Sequence, residues 1–426
     1  MMSALTAEVP RRLEEVVRAR LRETPVLVIS GPRTVGKSTV LRALAQQLEA
    51  SILDLDDLAT RELVEDDPGY FMSGEPPILV DEYQRVPQVL AAIKAELNKG
   101  QSPGQYLLTG STRYGSLPQV ATYLTGRVQT LDLYPLSQGE ISGTHESFLE
   151  TALRNPAELV SRDPSRTTRE EYTERVCAGG FPVALRSPSV TARRRWYNDF
   201  INLVVTKDVV ELTRIRQRAQ LPHLLRRLAS QTGQLVNMSE VSQDVKLDRS
   251  TAERYTTLLE AVFLVHRLPA WGTTLGSRIT RNPKLHMVDT GVAAHLLGLT
   301  PQKLAARNPS ALTEFGHLLE TFAVNEVMKQ ATWSEELIEL GHFHTHDHDE
   351  VDLVLETYDG RVLGIEVKAS GRVPGKDFSA LRMLGRKAGS RFLGGIVLYL
   401  GSRSYSYEDN LHALPLDTLW QPGRQQ

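Results

Sequence analysis

Eight consecutive residues, Gly31 to Ser38 in the run TPVLVISGPRTVGKSTVLRAL, restrict this chain more than any other feature. They follow G-x-x-x-x-G-K-[ST], with an apolar run before (Val26 to Ile29) and an amphipathic pattern after (Thr39 to Leu48). A strand, a tight loop and a helix are predicted in that order. Such a loop aims successive backbone N–H groups and a helix N-terminus at phosphates. Gly31, Pro32, Arg33, Thr34, Val35, Gly36, Lys37, Ser38 and Thr39 are therefore the expected nucleotide-binding residues. Lys37 would reach the β/γ-phosphates and serve catalysis as well, and the Ser38 hydroxyl would bind Mg²⁺.

At 426 residues the chain is long enough for two or three domains, each with its own core. A hydrophobic fraction of 41%, a charged fraction of 23% and a net charge of -2 give no whole-protein attraction to nucleic acid or membrane, so any such contact must be local. The single cysteine, Cys177, fits a reducing compartment. No run approaches the roughly eighteen apolar residues of a membrane span, and the charged N-terminus lacks a signal-peptide core. A cytoplasmic location is expected.

Beyond the loop, apolar runs at Ile52 to Asp57, Pro76 to Pro87, Gly104 to Tyr114 and Arg127 to Leu136 alternate with helical patterns. This predicts a parallel α/β sheet covered on both faces. Ile78-Leu79-Val80-Asp81-Glu82 ends a strand in two carboxylates, a Walker B pattern. Asp81 would hold Mg²⁺ through water and Glu82 would act as general base. At the end of the next strand Thr109 and Ser111 are placed either to sense the γ-phosphate or to satisfy a turn. Arg127 is offered to the transferring phosphoryl group, in cis or across a subunit contact, or is a surface arginine.

The set GPRTVGKST, ILVDEYQRVP, YLLTGSTRY and LTGRVQTLDLYPLSQGE, followed by Gly179-Gly180-Phe181-Pro182, resembles prokaryotic AAA-type ATPases that carry a restriction-endonuclease-like C-terminal domain. The resemblance spans nearly the whole chain. It implies ATP rather than GTP, a choice the residues alone do not make.

Past a polar boundary at Asn155 to Glu170, a helical stretch from Ala192 to Arg218 carries Arg193, Arg194, Arg195, Arg214, Arg216 and Arg218 beside Trp196 and Tyr197. It reads as a phosphate- and base-contacting face or as a solvated helix with aromatic anchors. Three helical patterns (Leu221 to Gln234, Ser239 to Val245, Arg249 to Phe263) and strands at Leu264 to Trp271 and Lys284 to Val288 spell a winged helix. Asp248 or Ser250 would cap its third helix, with Arg249, Thr251, Arg254 and Tyr255 on the DNA-facing side.

The C-terminal third holds EVDLVLE, the turn Tyr358-Asp359-Gly360 and VLGIEVK, a hairpin pattern. A loop centred on Asp359 sets Asp352 opposite Glu366, and strand alternation puts Lys368 on the same face. Two carboxylates for Mg²⁺ and a lysine that acts on water suit metal-dependent phosphodiester hydrolysis, and the arrangement resembles restriction-endonuclease-like nucleases. Glu320, on a helix spanning Gly316 to Val327, would complete the metal set or be a solvated acid. His342, His344, His346 and His348 alternate before the hairpin, as a metal clip or a solvated loop.

The chain is thus expected to hold a P-loop AAA-type ATPase domain (1–155), a helical connector with a winged helix (156–300) and an α/β restriction-endonuclease-like domain (301–426). The expected function is ATP hydrolysis coupled to DNA, with Mg²⁺, a possible homo-oligomer and no membrane contact. The alternative is an ATP-driven switch or scaffold whose nuclease-like domain binds without cutting. A small-molecule kinase would need an acceptor pocket that no feature marks.

Overall fold

Apolar strands without polar alternation bury both faces, and the first unit is built on this rule. The structure, a computed structural model, describes residues 5, 8–116, 124–161, 163–212, 217–274, 282–306, 309–345 and 349–422. β1 (Val26–Ser30), β2 (Ile52–Asp54), β3 (Ile78–Asp81), β4 (Tyr106–Gly110) and β5 (Val128–Asp132) form a parallel sheet in the order β2-β3-β4-β1-β5. Leu27, Ile29, Leu79 and Leu107 pack with the helix Lys37–Leu48, whereas Val26, Val28, Val80 and Leu108 pack with Gln88–Lys99. This is the α/β sheet of a P-loop NTPase. Inserting β4 between β1 and β3 sets its C-terminal end between the phosphate loop and the Asp81-Glu82 pair.

A helical region follows. At its entry Gly179 adopts φ +67°, and a Cβ there would sit 2.3 Å from Asp289 Oδ1; a Cβ on Gly180 would meet Leu136 O at 2.5 Å. The Gly-Gly pair therefore lets the backbone touch Asp289, which accepts from the Gly180 N–H at 2.7 Å. The helix Val190–Leu203 runs into a π-helical turn, Val204–Asp208. Trp196 stacks on Phe200 with centroids 5.0 Å apart and also meets Phe181, and Tyr197 is buried. These aromatics anchor the core, which corrects the base-stacking reading, while Arg194 and Arg195 are exposed. Arg214 and Arg216 lie outside the described residues.

Helices Leu221–Ala229, Met238–Asp244 and Arg249–Ala261 then pack beside an antiparallel sheet of β6 (Gln234–Leu235), β7 (Val265–Leu268) and β8 (Lys284–Met287), in the order β6-β8-β7. β6 was not anticipated from the sequence. Asp248 caps the third helix, accepting from Thr251 N at 2.8 Å. Arg249 and Arg254 are exposed and Thr251 is half-buried, but Tyr255 is 1% exposed, so it belongs to the core and not to the outer face.

The last unit is a separate mixed sheet. β9 (Ile338–His344), β10 (Glu350–Thr357), β11 (Val362–Lys368), β12 (Phe392–Tyr399), β13 (Tyr405–Glu408) and β14 (Leu411–Pro415) lie in the order β13-β14-β12-β11-β10-β9. Leu381 and Leu384 of the helix Ser379–Ala388 cover one face, where the missing Cβ of Gly364 makes room for them. The other face packs on the long helix Pro309–Trp333. That helix is a spine: Asn325 bonds the β8 end (Met287 O, 2.9 Å), Lys329 bonds Leu136 O at 3.0 Å, and Gln330 bonds Leu419 O at 2.7 Å. Among the described residues no helix is long and apolar enough to cross a membrane.

Candidate functional site

The phosphate loop is shaped by two left-handed residues, Thr34 (φ 63°) and Gly36 (φ 102°), the latter immediately before the helix that begins at Lys37. Lys37 Nζ donates to Gly31 O and Pro32 O, each at 3.0 Å, and lies 3.7 Å from Glu82 Oε1. Burial lowers its pKa, and Glu82 and Asp81 pull the other way. Pro32, Arg33, Val35, Ser38 and Thr39 complete the loop and the first helical turn. Arg11, a residue no sequence motif marks, braces the loop by donating to Val35 O (2.6 Å) and Tyr134 O (2.7 Å). A cavity of about 290 Å³ opens from Thr34 to Thr39 toward Arg42, Val9 and Pro182.

Asp81 and Glu82 stand at the end of β3, with Glu82 itself in the left-handed region (φ 54°). Asp81 accepts from the Thr109 hydroxyl, from the Ser38 hydroxyl and, at 3.1 Å, from Glu82 N. Burial pushes the Asp81 carboxyl up against these bonds. Gln84 Nε2 bonds the Glu82 carboxylate and, at 2.9 Å, Ser111 Oγ. Thr109 thus holds Asp81, and Ser111, through Gln84, holds Glu82. Gln84 was not singled out in the sequence, though its place two residues after Glu82 offered it. Ser38 and Asp81 face one another and suit Mg²⁺ by their oxygen chemistry.

Arg127 is elsewhere. It precedes β5, at the N-terminal edge of the sheet, and donates to Asn98 Oδ1 at 2.7 Å. A strand of five residues, roughly 16 Å, separates it from the phosphate edge, so a role in cis does not hold.

In the C-terminal unit the hairpin pairs Leu353 with Ile365 and Glu356 with Val362, the register centred on Asp359. Asp352 N donates to Glu366 Oε2 at 3.3 Å, and Lys368 Nζ to Glu366 Oε1 at 2.5 Å. Burial, then repulsion by Asp352, pushes the Glu366 carboxyl up to about 8. The residue the sequence did not offer is Lys284 of β8. Its Nζ sits 2.6 Å from Glu320 Oε1, 2.6 Å from Glu350 Oε1 and 2.9 Å from Asp352 Oδ1. Among the described residues no group of three or more His, Cys, Asp or Glu side chains is placed to hold a metal ion. The residues expected as the metal set are shared between two cations: Glu320 and Asp352 converge on the Lys284 ammonium, and Glu366 on Lys368. His342 is buried and bonded to Asn282 O at 3.1 Å, with burial lowering its pKa to about 4; His346 and His348 lie outside the described residues.

Residues 23–142 match the family described as an AAA domain. Most of the first unit is thus similar to AAA domains. Residues 169–303 and 315–419 match two families described as domains of unknown function (DUF8612 and DUF4143). Uncharacterized proteins of Mycobacterium tuberculosis and Mycobacterium bovis are each 25% identical over 410 residues, 96% of this chain and 83% of theirs. A Walker-type ATPase of Pyrococcus abyssi is similar at 14% identity with a TM-score of 0.40, over 67% of this chain and 94% of that one.

Proposed function

We propose that the protein is an ATP-driven switch: it hydrolyses ATP at the phosphate loop and passes the nucleotide state to a winged helix that contacts DNA in the cytoplasm. The observation that supports the chemistry is the meeting of Lys37 with Glu82 beside Asp81. Ser38 and Asp81 would hold Mg²⁺, which when bound neutralises phosphate charge. Gly31 to Thr39 receive the phosphates through backbone N–H groups. Lys37 offsets the charge that grows on the β/γ oxygens, and Glu82 accepts the proton of the attacking water. The family resemblance supports adenine as the base.

Two contacts support coupling. Arg33, in the loop, pairs with Asp208. Arg113, just beyond Ser111, donates its N–H to Ala261 O at 2.9 Å and covers the Phe263 ring, so the sensor strand is fastened to the end of the Arg249–Ala261 helix. The three helices and the β6-β8-β7 order support the winged-helix reading, with exposed Arg249 and Arg254 as the phosphate contacts. Arg127, on the outer edge, is retained only for a contact between subunits of a homo-oligomer. At the C-terminal unit the placement of Lys284 favours a nuclease-like domain that binds without cutting over one in which Asp352, Glu366 and Lys368 cleave. Binding of duplex DNA by Glu82→Gln, with and without ATP, tests the proposal: affinity that does not respond to ATP removes the coupling.

A further inference from the structure

The acid cluster brings three elements of different origin to one point. Glu320 comes from the spine helix, Glu350 and Asp352 from β10, and Lys284 from the central strand of the β6-β8-β7 sheet. The Lys284 ammonium donates to Glu320 Oε1 at 2.6 Å and to Asp352 Oδ1 at 2.9 Å, and forms an ion pair with Glu350 Oε1 at 2.6 Å. Lys284 is only 1% exposed, so its charge has no solvent to fall back on. Bound Mg²⁺ draws oxygens to about 2.0–2.1 Å in an octahedron, whereas these oxygens stand at the distance of charge-assisted hydrogen bonds. The remaining acid, Glu366, has its own lysine, Lys368, at 2.5 Å. The cluster has thus been given two side-chain cations.

We infer that Lys284 takes the place of a divalent cation in this cluster, so that Glu320, Glu350 and Asp352 latch the β6-β8-β7 unit onto the C-terminal sheet instead of serving a metal. The inference does not depend on ATP hydrolysis or on DNA. Its support includes charge: burial alone would strip the proton from Lys284, and the pull of Asp352, Glu320 and Glu350 more than restores it. Burial and the repulsion of Asp352 push the Glu320 carboxyl up, and the Lys284 ammonium pulls it back down. A latch of this kind is costly to break from one side, because the Glu320 and Asp352 carboxylates stay buried.

The test uses the full chain without nucleotide and Mn²⁺ as the probe. Bound Mn²⁺ is counted by electron paramagnetic resonance, and thermal unfolding is followed in parallel. The native chain and Asp352→Asn should bind the same number of ions, and millimolar Mn²⁺ should leave the native midpoint in place apart from any shift shared by Asp352→Asn. Lys284→Met should unfold several degrees lower and regain part of that loss with Mn²⁺, since a ligand of the folded state stabilises it by mass action. The regain should vanish in Lys284→Met/Asp352→Asn. An ion bound by the native chain and lost in Asp352→Asn overturns the inference, and so does a Lys284→Met midpoint that ignores Mn²⁺. Should Lys284→Met not fold, the count for the native chain against Asp352→Asn decides alone.

Discussion

Arg33 Nε donates to Asp208 Oδ2 at 2.6 Å across 175 positions of sequence, tying the phosphate loop to the π-helical turn at Val204–Asp208. A loop that holds nucleotide on one side and a helix on the other is a mechanical joint. Arg33→Ala should cost about 2 kcal/mol, the scale of a hydrogen bond between charged groups. Its telling effect is on communication: amide exchange over residues 204–212 should respond to ATP in the native chain and not in Arg33→Ala. An unchanged response would place the signal in another contact.

Separating binding from chemistry gives a second expectation. Lys37→Ala should weaken nucleotide binding, whereas Glu82→Gln should bind and turn over roughly 10²–10⁴-fold more slowly, the range for a positioned base. Single-turnover hydrolysis and equilibrium nucleotide binding distinguish the two. Glu82→Gln hydrolysing at the native rate would remove Glu82 as the base.

If Arg249 and Arg254 each neutralise a phosphate, replacing both by alanine should flatten the salt dependence of DNA binding by about 1.8 in the log–log slope. The measurement is affinity for one duplex at several salt concentrations. Weaker binding with the same slope would mean the residues act on the fold of the module and not on phosphate.

Glu366 sets a pH dependence of stability. Its folded pKa of about 8 lies above the ordinary carboxylate value, so the folded chain keeps a proton that the unfolded chain gives up. Stability from this group therefore falls as pH rises from about 4.5 to about 8, and is unaffected below that window. Denaturant unfolding at pH 5 and pH 8 should show the decline in the native chain and a smaller one in Glu366→Gln. Equal declines in both would assign the slope to other groups.

What could be read from the sequence was local. The phosphate loop, the Asp81-Glu82 strand end and the hairpin register are each fixed within a few residues, by a motif or by a turn whose centre sets the pairing. The in-cis reading of Arg127 fails, while the subunit-contact and surface readings stand, because proximity to a glycine says nothing about which end of a strand faces the ligand. Tyr255 was assigned to an outer face that a helical wheel leaves ambiguous without its neighbours. Lys284 could not be reached at all: it lies 68 positions from Asp352, in a strand that reads as part of another module. Arg11 was hidden for the same reason, 129 positions from Glu140.

The spine helix has a consequence for how the protein comes into being. Gln138 and Leu136 complete their hydrogen bonds only with Glu326 and Lys329, 188 and 193 positions later. At ribosomal speeds of about 5–20 residues per second, Leu136 and Gln138 wait on the order of ten seconds or more for these partners. During that interval the nascent chain exposes the surface the spine will cover, the kind of transiently open surface that makes a folding intermediate prone to aggregate.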